Sequence, residues 1–419
     1  MAYNRIKNFV NTLGLPNPCG PTEFAEIFVN ARGASDSSFR GHLDNDETRK
    51  LIEIAFATTT RPEEGRYLRF RLFVYPLVTQ NDELRTIMRL SEPAEVSVET
   101  IRRLAPALPS SEYALRVDSR EGHLLCDSVV HISRSGAYGI PGGPDFWNGG
   151  TSPTGLMIRG DRPGELRVSE NMIGLRLHAG SVEEVIDYSH VPTVAQWVHE
   201  TAGGLVGKSA AQAAQASVRF GGQYGVWTLV TAVWGRILAQ TIDARHGGAF
   251  AILRGGMAKH VSCKYTSHGL DLGRTINDFW LASVAATDAD DREQLRKWMI
   301  SKDRLFATAD LVASLANVDG CVVLSPALAV QGFGGEISVD EDSLAKLGAP
   351  LIDAASDTPH ANQDARQFGG TRHRSAYRLA KVSPDAIVFV ISQDGDLRIF
   401  CNNDCKVGSC VITVRGVLS

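Results

Sequence analysis

Residues 226–253 read VWTLVTAVWGRILAQTIDARHGGAFAIL. Trp227, Val230, Trp234, Ile237 and Leu238 recur at helical spacing, and the run from Ala249 to Leu253 is apolar without a break. The spacing predicts a buried helix that turns sharply at Gly247-Gly248 into a buried strand, because paired glycines permit a tight entry or a close backbone approach. The apolar part, Val226 to Ile242, carries Arg236 and Gln240 and falls short of the about 20 apolar residues of a membrane span.

The same punctuation continues downstream. A helix is expected over Leu305 to Leu315, a strand over Cys321 to Leu324, and a second strand over Leu328 to Gln331 that ends in Gly332-Phe333-Gly334-Gly335. Beyond a polar insert, Gly369-Gly370-Thr371 opens a helix, and Ala386 to Ile391 reads as a further buried strand. This half is expected to be an α/β domain, a central mixed β-sheet flanked by helices. Upstream the texture is α+β. Ile6, Phe9, Val10 and Leu13 mark an amphipathic helix, and Arg66 to Tyr75 a strand with Leu68, Phe70, Leu72 and Val74 on one face and Arg69 and Arg71 on the other. Ala114 to Val117 and His123 to Ile132 form a strand pair about a polar turn near Ser119 and Gly122, and Leu166 to Val168 with Leu175 to Leu177 a hairpin. Helices follow through Val194 to Val198 and Ala210 to Ala216. Seven glycines and three prolines between Gly136 and Gly155 mark a long loop. The expected division is 1–200 and 220–419.

Composition bounds the function. The 419 residues suit two or three domains at about 150 residues each. Forty-three basic against 47 acidic side chains give a net charge of −4, so no broad basic surface for DNA is expected and any anion site is local. Seven cysteines with no Cys-x-x-Cys pair read as reduced thiols, and the N-terminus lacks the apolar core of a signal peptide, so the expected location is cytoplasmic.

The strongest chemical signal is Gly369-Gly370-Thr371-Arg372-His373-Arg374-Ser375. Thr371 is a natural N-cap, and the first-turn amides with the positive end of the helix dipole make an anion site. Arg372 and Arg374 add guanidinium forks that grip phosphate, with His373 between them. The same residues also suit a solvated basic helix start, with Arg378 and Lys381 continuing it. Asp319-Gly320 places a carboxylate at the edge of a buried strand, where it could hold a divalent cation or serve simply as a turn. Ser392-Gln393-Asp394-Gly395 repeats that pattern after the strand Ala386 to Ile391. Two other patterns are decoys. Ala202 to Ser209 resembles a phosphate-binding loop but lacks its first glycine and follows a helix. Cys401, Cys405 and Cys410, with three and four residues between them, could build a zinc site with a fourth ligand from elsewhere, but no Cys-x-x-Cys pair supports it and they read rather as buried free thiols of a terminal strand.

Taken in order, Val318-Asp319-Gly320-Cys321, Gly370-Thr371-Arg372-His373-Arg374 and Val390-Ile391-Ser392-Gln393-Asp394-Gly395 resemble the Asp-Gly-Ala, Thr-Arg-His-Arg and Ser-Glu-Glu-like motifs of the diadenylate cyclase (DAC) domain family. The helix and strand around Gly247-Gly248 resemble that family's opening elements, and the likeness spans roughly residues 220 to 415. The resemblance implies condensation of two ATP into cyclic di-AMP with release of pyrophosphate, a divalent metal (Mg²⁺, Mn²⁺ or Co²⁺), and a homo-oligomer whose DAC domains meet face to face. It implies Asp319 as metal ligand and activator of the 3′-hydroxyl, with Asp394 as a second acidic group. Gly320, Arg372, His373 and Arg374 fall in its catalytic motifs, and Gly248, Cys321, Gly332, Phe333, Gly334, Thr371 and Ser392 would border the nucleotide. By position the N-terminal region resembles sensor domains that precede DAC domains and would take a ligand of its own, while DNA and membranes are not expected partners. Three departures point to the alternative, a DAC-fold nucleotide-binding sensor with weak or lost catalysis. Cys321 replaces Ala, crowding the nucleotide or exposing a thiol; Gln393 replaces an acid; and Ser338 to Phe368 is an insertion.

Overall fold

The computed structural model describes residues 19–33, 42–62, 67–75, 86–108, 113–132, 155–170, 173–184, 192–207, 223–254, 259–286, 291–339, 351–353, 359–360, 370–383, 385–393, 397–405 and 408–414. The expected helices at Ile6 to Leu13 and Ala210 to Ala216, and all of the loop Gly136 to Gly155 except Gly155 itself, lie outside these residues. Described residues up to 184 belong to one compact unit, and those from 192 to a second. Each unit is a mixed β-sheet with helices on it.

The first unit holds helices α1 (Pro21–Gly33), α2 (Asn45–Thr59) and α3 (Val98–Leu104). Its strands are β1 (Phe70–Val74), β2 (Thr86–Glu95), β3 (Tyr113–Arg120), β4 (His123–His131), β5 (Leu156–Arg162), β6 (Glu165–Glu170), β7 (Ile173–His178) and β8 (Ser181–Glu184). They lie in the order β2-β4-β3-β1-β5-β6-β7-β8, parallel only between β1 and β3. The turn between β3 and β4 is two residues, Glu121 and Gly122, both at positive φ (54° and 79°), which matches the right-handed twist of the strands it joins. Asp44 caps α2, accepting from the Glu47 amide while the Glu47 side chain accepts from the Asp44 amide. Phe24 and Phe28 of α1, Leu51 and Ile52 of α2, and Leu72, Ile158, Leu166, Val168 and Leu175 of the sheet form one core. A buried ion pair ties α1 to that sheet: Arg32 Nε donates to Glu170 at 2.7 Å and Arg32 Nη1 to the Leu43 carbonyl at 2.9 Å.

On the other face of this sheet, burial works to raise the Asp161 carboxyl, but the guanidiniums of Arg159, Arg167, Arg71 and Arg69 outweigh it and hold the group well below the usual carboxylate range. A depressed carboxylate contributes fully above its unfolded pKa of about 3.9 and loses that contribution as pH falls toward its folded value. The first unit is therefore expected to lose stability from about pH 4 downward, and Asp161→Asn to be less stable at neutral pH yet shallower in acid. Denaturant melts across that range would show parallel profiles for the two proteins if the Asp161 field were unimportant.

The second unit opens with α4 (Pro192–Gly207), α5 (Gln223–Asp243), β9 (Gly248–Leu253), β10 (Val261–Thr266), α6 (Leu272–Ala285) and α7 (Arg292–Leu315). It continues with β11 (Cys321–Leu324), β12 (Val330–Ile337), β13 (Leu351–Asp353), β14 (Pro359–His360), α8 (Thr371–Val382), β15 (Ala386–Ile391), β16 (Leu397–Cys405) and β17 (Gly408–Val414). The sheet order is β10-β12-β11-β9-β15-β16-β17-β13-β14, with β9 parallel to β11 and β13 parallel to β17. Alternation sorts β9 and β15 between two cores. Phe250, Ile252, Ile387, Phe389 and Ile391 face α4 to α7, while Ala249, Ala251, Ala386, Val388 and Val390 face α8. Trp234 of α5 is fully buried and meets Trp197, Phe250 and Phe389 edge-on at 5.5, 5.4 and 5.1 Å. That contact, and the hydrogen bond from Trp197 Nε1 to the Pro326 carbonyl, place α4 in the second unit, ahead of the boundary expected near residue 200. The Ala202-to-Ser209 pattern falls on α4 as far as Gly207, so its described part is helix rather than phosphate loop.

The glycine run Gly332 to Gly335, expected after a strand, lies inside β12. A Cβ on Gly332 would stand 2.7 Å from the Tyr265 carbonyl oxygen, and one on Gly335 2.8 Å from Cys321 Sγ. These glycines let β12 sit between β10 and β11 where side chains would hold the strands apart. Among the described residues no helix is long and apolar enough to cross a membrane.

Candidate functional site

Three segments distant in sequence meet at one end of the second sheet. Asp319, Gly320 and Cys321 open β11, the first turn of α8 brings Gly370, Thr371, Arg372, His373 and Ser375, and Ile391, Ser392 and Gln393 close β15. With Ala249 of β9 and Gly335 to Ser338 of β12 they line a cleft of about 790 Å³, within the usual range of small-molecule sites.

Helix α8 sits here because Ala376, Leu379 and Ala380, at i, i+3 and i+4, bury against the small side chains of β9, β11 and β15. Its N-cap is Gly370 rather than the expected Thr371: Gly370 has extended backbone (φ −73°, ψ 167°) and no side chain to bond the first-turn amides. The positive end of the helix thus faces the cleft with a glycine at its rim. Arg372 reaches across the cleft wall, Nη2 lying 3.4 Å from Asp319 Oδ1 and Nη1 donating to the His246 carbonyl at 3.3 Å. Gly247, at φ +69°, makes room for it, since a Cβ there would stand 3.0 Å from Arg372 Nη1 and 2.9 Å from the Ile391 carbonyl oxygen. Asp319 is 89% exposed and Arg372 28%, so the pair is open to solvent and to a ligand that would compete for either partner.

Arg374 departs from the expected two-arginine grip. It does not line the cleft, and its Nη2 donates to Thr371 Oγ1 at 3.4 Å. Residues two apart on a helix point about 200° from one another, so Arg372 and Arg374 cannot clasp one group together. Gly248 is also elsewhere, its missing side chain accommodating Ala316 and Thr241. Gly332, Phe333 and Gly334 are not lining residues: Phe333 stacks on Tyr265 at 4.9 Å, and Gly334, at φ +62°, packs near the Asp319 carbonyl. Asp394 lies outside the described residues.

Cys321 is buried against Gly335, and burial first, then Cys263, pushes its thiol up to about 12. A neutral thiol of this kind is inert, which corrects the expectation of an exposed reactive sulfur. Cys401 is likewise a buried free thiol, pushed up to about 11 by burial. Sequence reasoning missed Glu336, Ser338 and Ser375 as cleft residues. Ser375 follows Arg372 by one helical turn, a spacing that could have found it; Glu336 and Ser338 depend on the path of β12 through its glycines.

For a divalent cation the donor set matters. Among the described residues no three His, Cys, Asp or Glu side chains gather as a cage, and Glu336 Oε1 lies 3.1 Å from Lys264 Nζ. An exposed carboxylate, Asp319, facing the start of α8 could hold a hard ion that takes its remaining ligands from a bound molecule and water, as Mg²⁺ commonly does.

Residues 43–131 match the family model described as "Probable sensor domain DACNV". The match runs from the N-cap region of α2 to the end of β4, the part of the first unit built from α2, α3 and β1 to β4. Neither the curated proteins nor the solved structures give a match to the chain. The sensor-domain likeness therefore concerns the first unit, and β5 to β8 extend its sheet beyond the matched stretch.

Proposed function

We propose that the second unit is a diadenylate cyclase, condensing two ATP into cyclic di-AMP with release of two pyrophosphates, and that the sensor-like first unit regulates it. The observation that carries this reading is the convergence of Asp319, the first turn of α8 and Ser392 on one cleft of nucleotide size. In each half of the reaction a ribose 3′-hydroxyl attacks the α-phosphorus of the opposite ATP, pyrophosphate leaves, and the hydroxyl proton passes to a base. Such phosphoryl transfer depends on positioning and on neutralising charge. Arg372 and the α8 amides would hold phosphate oxygens, Ser392 would donate a hydroxyl to them, and Ser375 lines the same wall. His373, on the cleft and edge-on to Phe400 at 6.3 Å, would border the phosphates. Asp319 would hold a divalent ion, which supplies charge neutralisation on the transferring phosphate. Each cleft would serve one ATP, so the reaction needs a second copy of the chain facing the first.

One observation favours the second reading, a nucleotide-binding sensor with weak catalysis: Gln393 lines the cleft where the family carries an acid. Purified protein incubated with ATP and each of Mg²⁺, Mn²⁺ and Co²⁺, with products read by mass spectrometry, separates the two. Cyclic di-AMP supports the cyclase; saturable ATP binding without product supports the sensor; no binding by calorimetry overturns both.

A further inference from the structure

In the cleft of the second unit Arg372 stands between two anchors of different kinds. Nη1 donates to the His246 carbonyl at 3.3 Å, a main-chain group set by the turn into β9, and Gly247 at φ +69° leaves room for that approach. Nη2 faces Asp319 Oδ1 at 3.4 Å, on a side chain that is 89% exposed. The carbonyl belongs to the backbone and stays where it is, whereas an exposed carboxylate can turn about its own side-chain bonds. One contact fixes where the guanidinium sits, and the other is exchangeable.

The exchangeable contact sets a condition on what the cleft takes. A bare divalent cation arriving at Asp319 would displace Arg372 and stand beside its positive charge. A bare polyphosphate arriving at Arg372 would displace Asp319 and stand beside its negative charge. A cation already bridging phosphate oxygens meets neither penalty, because the cation takes Asp319 while a phosphate oxygen takes Arg372, and both displaced charges are matched again at once.

We propose that the pair of Arg372 and Asp319 is a latch that makes the cleft take a divalent cation and a polyphosphate as one unit and discriminates against either alone. The inference rests on the reading of this cleft as a site for nucleotide phosphates and adds an order of loading: the cation arrives on the phosphate and not ahead of it. On loading, Arg372 pivots about the His246 carbonyl and passes Nη2 from Asp319 to a phosphate oxygen. The pair is open to solvent, so the latch is worth about 2- to 5-fold in affinity.

The test measures binding to the full chain and needs no turnover. Mn²⁺ alone is titrated and read by electron paramagnetic resonance, the relevant site being the one lost in Asp319→Asn; inorganic triphosphate is titrated by calorimetry with a chelator present, at constant ionic strength. Opening the latch from one side is expected to tighten the ligand of the other, so Arg372→Gln tightens Mn²⁺ about 2- to 5-fold and Asp319→Asn tightens metal-free triphosphate by a similar factor. Removing a repulsive charge would also tighten binding, and a double-mutant cycle separates the two: the gain from Asp319→Asn should disappear when Arg372→Gln is already in place. A gain that persists there overturns the latch, as does Mn²⁺ binding that Arg372→Gln leaves unchanged. If triphosphate binds the Arg372→Gln chain too weakly to titrate, Arg372→Lys decides: it keeps the charge and loses the fork, so tighter Mn²⁺ supports the latch and unchanged Mn²⁺ overturns it. Thermal melts verify that each variant folds. Triphosphate that binds the natural chain equally with and without Mg²⁺ overturns the latch alone, while no binding of ATP or triphosphate with Mg²⁺ overturns the nucleotide reading of the cleft as well.

Discussion

Asp319→Asn is expected to lower the proposed formation of cyclic di-AMP by about 10²- to 10³-fold, the scale for removing one preorganised electrostatic contributor in an active site. The melting midpoint should move by no more than about 2 °C, because the Asp319 side chain is exposed and its contact with Arg372 is long. The two readouts together separate chemistry from folding. Asparagine keeps the size and one acceptor oxygen but no charge, so a variant as active as the natural chain would remove Asp319 from the reaction. Nucleotide binding without metal should persist, since Arg372 and the start of α8 are untouched. Tight metal-dependent turnover in the variant would point to another carboxylate in the role.

Gly320→Ala should strongly destabilise the second unit. Gly320 has φ +112°, a conformation that side chains rarely adopt, and a Cβ there would stand 2.7 Å from both Gly334 C and the Gly335 carbonyl oxygen. Both obstacles are backbone, so neither can swing aside. Strain of about 1–3 kcal/mol from the dihedral alone, with the clash added, corresponds to a fall of roughly 10 °C in the midpoint. The comparison is Gly204→Ala in α4, where nothing lies within 4 Å of a Cβ. There the same methyl group is expected to stabilise by about 0.5–1 kcal/mol, by limiting the freedom of the unfolded chain. Equal effects at the two sites would contradict the close approach of β11 and β12 at Gly320.

What could be read from the residues depended on whether the relevant order was local. Runs such as Phe250 to Leu253, Cys321 to Leu324 and Ala386 to Ile391 state their burial through composition alone, and each is a strand buried at every position. The hairpin pairing Leu166 with Leu177 and Val168 with Leu175 was legible for the same reason, its two strands lying either side of a short connection. The cleft was legible as three motifs, since each carries its chemistry in consecutive residues. The path of β12 was not, because glycines signal a break unless the strands on either side are known to press in. The direction of Arg374 was lost by treating neighbours in sequence as neighbours in space. The cluster of arginines around Asp161 was the least legible of all. Arg71 was visible on the face of its strand opposite the leucines, but nothing in one strand states which residue of another will stand beside it.

Where β11 meets β12 the cleft is lined by residues with little side chain: Gly320 and Gly335 bring none, and Cys321 is small and buried. That stretch of wall leaves few positions at which a point mutation can retune it. Variation among descendants of this chain would therefore accumulate at the rim, at Glu336, Ser338, Ser375 and Gln393, while the base keeps one shape for whatever it holds. Such a pocket changes its preferences from the edge inward.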